Sequence, residues 1–545
     1  MTTAEPPSIR RQPITSNPQQ PMNIRELIEQ RAQTDTTRPF MVFRDQVIDF
    51  GTLQQNVNKT ANVLADMGVG KGDHVCLFLP NCPEFIYIWF ALAHLGGVMV
   101  PLNIHLRGDG LTYIINHCDA KWIILDESLY DEYASVEKDL LNLQQRIWRG
   151  APESTPDHFI SLQTQLEKAD TTAPQPAMVK DSDTLGIIYT SGTTGRPKGA
   201  MVTHFNYINT ARVWIEDIIK CREDDIFFTA LPLFHANAQM FTTMGSLFSG
   251  RPFVLKEKFS ASRFLDEIRQ TKATIFNYIG GILTILMKQP DLESDAKNPL
   301  RIAFGGAAPK EIWRDFERRF KMTILEGYGS SENSALPLCN PPEAIRVGSI
   351  GKPTRIADVT IWDENNQEVP IGDIGEIMVK EKIPHSMFSG YYKQPDKTAA
   401  AWDDGWFHTG DSGYMDEDGY FYFVDRIKDC IRRMGENMSS YEIEKTVNSN
   451  PCVFESAAVG VPAELGEDDV KIYVVLLPGK RLDPADLIKF CEERMAYFMV
   501  PRYVEFLEAF PKTATERTQK FELRKKGIGE AWDRKKAGIQ VVSKP

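Results

Sequence analysis

Four strand-length apolar runs separated by helical or polar segments constrain this chain more than any other feature. "HVCLFLP" (74–80), "VMVPLN" (98–103), "KWIILD" (121–126) and "LGIIYTS" (185–191) each read as a short buried strand, and "PEFIYIWFALAHLG" (83–96) between the first two reads as a helix. Alternation of this kind predicts α/β layers, with helices flanking sheets. The texture continues through "DIFFTALPLFH" (225–235), "KATIFNYIG" (272–280), "RIAFGGAAP" (301–309) and "KMTILEGYGS" (321–330). A β-rich stretch, "DVTIWDENNQEVPIGDIGEIMVK", follows, with turn signals in Asp-Glu-Asn-Asn and Ile-Gly-Asp-Ile-Gly.

At 545 residues the chain exceeds what one hydrophobic core usually supports. The expected fold is α/β: a large N-terminal domain of α/β layers plus a β-rich subdomain, with a small mobile α+β C-terminal domain. The boundaries are a Pro/Gln-rich mobile arm at 1–22, a large domain at 23–425 and a small domain at 426–545. The run 85–101 is shorter than the roughly 20 residues of a membrane helix, and His94 and a Gly pair interrupt it, so no integral membrane span is expected. A net charge of −12, without a long basic block, argues against nucleic acid as a partner. Eight cysteines lack a C-x-x-C pair or framework spacing, and no secretory signal is legible, so a reducing, cytoplasmic location is expected.

"TSGTTGRPKG" (190–199) packs hydroxyls, glycines and basic residues directly after a strand. Glycines let backbone N–H groups converge on anionic oxygens, hydroxyls add donors, and Arg196 and Lys198 add charge, so the stretch reads as a phosphate loop or as an ordinary surface turn. It is not a Walker A loop, because Pro197 stands where the second glycine is required.

The loop resembles the signature of the adenylate-forming superfamily, and six further segments resemble that family's motifs in order: "LPLFHANA" (231–238), "GGAAP" (305–309), "YGSSEN" (328–333), "WFHTGD" (406–411), "DRIKDCIRRMGENMSSYEIE" (425–444) and "VPRYVEFLEAFPKT" (500–513). The resemblance implies an AMP-forming acyl-CoA synthetase that uses ATP, Mg2+ and coenzyme A on a small-molecule carboxylic acid. In that setting Thr190, Ser191, Gly192, Thr193, Thr194, Gly195 and Lys198 would cradle phosphates. Glu332 would hold magnesium, an oxygen ligand for a hard cation. Tyr328 would stack on adenine, with the backbone of Gly306, Ala307 and Ala308 completing the slot, and Ser331 would also bind the nucleotide. Asp411 and Arg426 would reach the ribose, the alternative for Arg426 being a plain salt bridge. His235 would gate the acyl site, where isolated chemistry would call it a core histidine. Lys428 would be the hinge about which the small domain swings, bringing Gly435 to the site. Arg432 and Arg433 either meet coenzyme A phosphates or are simply solvated.

The late motif departs from the family's "PKTxxGKIxR": "PKTATERTQKFELR" has Glu516 for the glycine, Arg517 at the lysine and Lys520 three residues on. Arginine keeps the charge in a larger, forked shape. Arg517 acts, Lys520 acts, or the first half-reaction is slow. Asn237, Gln239, Asn277 and Tyr278 would line the acyl pocket, and buried amides need partners, which points to a small or polar acid unless the protein itself satisfies them. "NYIGGILTILMKQP" and "MAYFMVPRYVEF" resemble the crotonobetaine/carnitine-CoA ligase branch. Two other readings stand beside the ligase: an adenylation enzyme loading a separate carrier protein, and a nucleotide-binding regulatory protein without catalysis. The sequence leaves a homodimer open.

Overall fold

The computed structural model describes residues 23–190, 196–279, 281–334, 336–427, 429, 431–433, 436–463, 468–512 and 518–541. The arm at 1–22 lies outside them. A seven-stranded sheet contains His74–Phe78, Val98–Pro101, Trp122–Asp126 and Thr184–Thr190, the four runs predicted above; it is parallel except at the edge, where Thr184–Thr190 meets Lys198–Thr203 antiparallel. A nine-stranded sheet has the parallel core Thr323–Tyr328, Ile302–Gly306, Ile275–Ile279, Phe227–Thr229 and Phe253–Leu255 in that spatial order.

The helix Pro83–Leu95 explains why so apolar a segment belongs in a globular core. Proline opens it, Gly96 at φ 71° ends it in the left-handed conformation, and every residue but Glu84 is buried. It shares one core cluster with Val75 and Leu77 of the seven-stranded sheet and Phe40 and Phe253 of the nine-stranded sheet. A helix hydrophobic on all sides is what a position between packed layers requires. Among the described residues no helix is long and apolar enough to cross a membrane.

The β-rich stretch forms an antiparallel pair, Ala357–Trp362 with Gly375–Glu381, inside a five-stranded sheet that also holds Trp406–Met415 and Phe421–Arg426. After Arg426 come a hairpin (Ile431–Arg433 with Glu436–Met438), the helix Ser440–Asn448 and a four-stranded sheet built on Val453–Pro462 and Asp468–Leu476. These have their own core of Ile431, Ile443, Ile472 and Leu487.

Candidate active site

The parallel strands of the nine-stranded sheet deliver their carboxyl ends to one place, the edge at which open α/β sheets bind ligands. Phe227–Thr229 runs on to the turn carrying His235, Ile275–Ile279 carries Asn277 and Tyr278, Ile302–Gly306 ends in the 306–308 turn, and Thr323–Tyr328 leads into Ser331 and Glu332. Within that last turn, Ser330 N donates to Asn333 Oδ1 over 2.6 Å and holds it closed.

Thr190 and Lys198 are register partners at the end of the antiparallel pair Thr184–Thr190 and Lys198–Thr203. The Thr190 hydroxyl is 3.2 Å from Glu332 Oε1, and the Tyr391 hydroxyl donates to the same oxygen over 3.1 Å. Lys198 Nζ sits 4.0 Å above the Tyr391 ring. Thr190, Lys198 and Glu332 are thus brought together, with Glu332 buried. Tyr391, the fourth member, was not anticipated, because "SGYYKQP" reads as a plain turn. Burial and then the Glu332 carboxylate push its phenol up, so it stays a donor at neutral pH. Ser191, Gly192, Thr193, Thr194 and Gly195 lie outside the described residues, as do Lys428, Gly435 and Arg517.

Asp411 and Arg426 face each other across neighbouring antiparallel strands, with Arg426 Nε 2.7 Å from Asp411 Oδ1. Tyr328 donates its hydroxyl to Asp411 Oδ2 over 2.6 Å. Burial works against the charge on Arg426, but Asp411, the Tyr328 oxygen and Glu332 more than offset it and hold the guanidinium above its usual value.

The 306–308 turn rests on a residue missed in the sequence. Glu326 is buried, and its carboxylate accepts from the backbone N–H groups of Ala307 and Ala308 and from the Tyr278 hydroxyl. A glutamate in a buried strand two residues before a tyrosine carries no local signal; only its neighbours reveal it. Tyr278 is itself fully buried among Trp313, Leu283 and Ile324.

The amides divide. Asn277 Nδ2 donates to Asn237 Oδ1 over 2.8 Å, and Asn277 Oδ1 is buried with no partner among the described residues. Gln239 is engaged inside the protein at both ends of its amide: its oxygen accepts from Tyr207 and its nitrogen donates to Leu233 O over 2.6 Å. The His235 turn is further held by buried Asn81, which accepts from Leu233 N over 2.7 Å and donates to Leu231 O and Lys256 O. His235 is half-buried, its ring 4.5 Å from that of Phe234.

In the small domain Lys520 Nζ lies 2.7 Å from Glu444 Oε1 and donates to Ser440 Oγ over 2.5 Å, and Ser440 in turn donates to Asp425. Burial lowers the Lys520 ammonium, but Glu444, Asp425 and Asp429 hold it above its ordinary value. Arg433 is buried against Asp469 and the carbonyls of Phe498 and Val500, so it is neither solvated nor free to meet a phosphate in this arrangement. The Arg432 side chain lies outside the description. Across the domains, Lys445 pairs with Glu311 at 2.5 Å.

No cluster of three or more His, Cys, Asp or Glu that could hold a metal occurs among the described residues. A single carboxylate beside a threonine hydroxyl nevertheless fits magnesium, which is commonly held by one or two carboxylates together with substrate phosphates.

Comparison with known proteins agrees with this geometry. Residues 28–392 match the profile of the AMP-binding enzymes, and 442–517 match the AMP-binding enzyme C-terminal domain. The chain is 34% identical over 512 residues to the crotonobetaine/carnitine–CoA ligase of Salmonella agona (strain SL483), covering 92% of this chain and 99% of the relative. It resembles the crystal structure of an anthranilate CoA ligase in complex with anthranoyl-AMP, with a TM-score of 0.84, 26% identity and coverage of 95% and 98% of the two chains. It also resembles o-succinylbenzoate coenzyme A synthetase from Bacillus subtilis in complex with ATP and magnesium ion, with a TM-score of 0.79, 26% identity and coverage of 91% and 98%.

Proposed function

The chain belongs to the AMP-binding enzyme family, and on that premise we propose that it is an ATP-dependent carboxylic acid–CoA ligase acting on a small or polar acid. The observation that carries the reading is the meeting of Thr190, Lys198 and Glu332 beside the Tyr328–Asp411–Arg426 cluster. A substrate carboxylate oxygen attacks the α-phosphorus of ATP, and pyrophosphate leaves with the bridging oxygen. The thiol of coenzyme A, giving up its proton to solvent, then attacks the acyl carbon through sulfur, and AMP departs with the former carboxylate oxygen. Little of this needs protein covalent chemistry; positioning and charge stabilisation dominate.

In this reading residues 190–195 and Lys198 hold the phosphates, and Asp411 and Arg426 hold the ribose. Tyr328 and Ser331 with the 306–308 turn form the adenine slot. Magnesium at Glu332 supplies charge neutralisation to the phosphate oxygens. His235 gates the acyl side. Arg517 supplies the late-motif cation, because the Lys520 ammonium is already engaged by Glu444 and Ser440. The large domain ends at 425, and Lys428 is the hinge by which Gly435 reaches the thiol-transfer site. Asn237 and Asn277, the amide pair whose Asn277 oxygen has no partner among the described residues, favour a polar acid. The reading extends to the cytoplasm, where ATP and coenzyme A are available, and to a homodimer, which light scattering tests.

The deciding experiment is mass spectrometry of a reaction holding the protein, MgATP, coenzyme A and a pool of trimethylammonium, short-chain, aromatic and sterol-derived acids. A new CoA thioester together with AMP is expected. Acyl-adenylate accumulating without thioester would redirect the reading to carrier-protein loading.

A further inference from the structure

We propose that Glu326 is a positioning residue for acid activation: its buried carboxylate ties the turn facing the nucleotide to the strand that ends at the acyl side. The proposal rests on the ligase reading above for what that turn faces.

Three observations carry it. Tyr278, Gly305 and Glu326 stand side by side in register on three adjacent parallel strands, so their side-chain positions share one face. The tyrosine ring reaches across the middle strand to Glu326 Oε2, 2.5 Å away. It can do so only because the middle residue is glycine: a Cβ on Gly305 would lie 2.1 Å from the Tyr278 carbonyl oxygen and 2.8 Å from its ring.

The carboxylate also meets four donor contacts with two oxygens. Oε1 accepts from Ala307 N and Ala308 N, and Oε2 from Ala308 N and Tyr278. Ala307 is held at φ +67°, a left-handed conformation that alanine rarely adopts. A carboxamide has one acceptor oxygen, and its NH2 would point at another N–H. Both oxygens of a carboxylate are therefore used.

The two tied segments border different parts of the site. The turn abuts the strand end at Gly327, next to Tyr328, and Tyr278 follows Asn277, whose amide faces Asn237 on the opposite side of the strand. Glu326 touches no substrate in this arrangement; it sets the spacing between the two walls. Glu326 meets no cationic side chain among the described residues; its pKa is pushed up by burial to about 7 although the Tyr278 and backbone hydrogen bonds lower it. The titratable groups that also face it, Tyr278, Cys339 and Tyr441 from the small domain, are all pushed up and stay protonated from pH 6 to 8.

The test measures MgATP binding to the full chain by calorimetry, with thermal unfolding alongside. Glu326→Gln is expected to weaken binding about tenfold at pH 8 while unfolding cooperatively at or above the wild-type temperature. The wild-type to variant affinity ratio should then fall towards one at pH 6, as wild-type Glu326 takes up its proton. Binding within twofold of wild type at pH 8 would overturn the proposal, as would a weakening that is unchanged between pH 6 and 8. Should Glu326→Gln fail to fold, Tyr278→Phe removes one donor; about threefold weaker binding supports the proposal and unchanged binding overturns it. Failure of the wild type itself to bind MgATP would instead sink the ligase reading.

Discussion

The ammonium of Lys520 and the carboxylate of Glu444 lie 2.7 Å apart, with only 14% and 13% of their side chains exposed. Ser440 extends the pair to Asp425, the residue before Arg426 of the Asp411–Arg426 ion pair. Lys520 thereby ties the helix Lys520–Lys525 to the helix Ser440–Asn448 and, through Ser440, to the strand Phe421–Arg426. If that is its role, Glu444→Gln should reproduce the effect of Lys520→Met. Removing one partner of a buried pair typically costs about 3–5 kcal/mol, and the double variant should lose less than the sum of the two. Chemical denaturation and pyrophosphate exchange of all three variants check this. A catalytic Lys520 would instead leave Glu444→Gln with near-normal exchange.

Glu332 accepts from two hydroxyls on one oxygen, and in the proposed ligase its other oxygen would meet magnesium. Glu332→Gln keeps the shape and removes the charge. Adenylation should fall about 100-fold or more, the scale of losing one preorganised electrostatic contact. The magnesium concentration needed for half-maximal exchange should rise. Exchange rates titrated against magnesium at fixed ATP provide the measurement.

Asn81 satisfies three backbone groups, Leu233 N, Leu231 O and Lys256 O. Asn81→Ala strands them in a buried place, at about 1–3 kcal/mol for a lost buried partner. The turn bearing His235 should loosen, so turnover should drop more than MgATP affinity. Comparing kcat with MgATP binding separates this from general destabilisation.

Glu326 makes a stability prediction with a definite sign. Its carboxyl has an ordinary value of 4.5 and is pushed up to about 7 in the fold. The folded state therefore binds its proton more tightly than the unfolded chain, and wild-type stability falls relative to Glu326→Gln as pH rises from 4.5 to 7. The full difference is about 3 kcal/mol at 1.36 kcal/mol per pH unit. Unfolding free energies of both proteins at pH 5, 6, 7 and 8 check it; a difference independent of pH contradicts it.

The sequence by itself determined the strands, the buried helix, the β-rich pair and the positions of the motifs, because each depends on local periodicity, turn chemistry or short spacing. It carried Thr190 and Glu332 as separate signals 142 residues apart. Only the tertiary structure decided that they share Tyr391, that Asn81 braces the His235 turn and that Glu326 supports the alanine turn. It also decided that Gln239 and Tyr278 answer to internal partners while Asn237 and Asn277 answer to each other, and that Arg433 is buried in an ion network. The physical reason is common to all of these. A buried polar group must find hydrogen-bond partners, and between packed sheets those partners come from strands and turns far away in the chain, so a residue type alone does not reveal whether its oxygen or nitrogen is left over for a substrate.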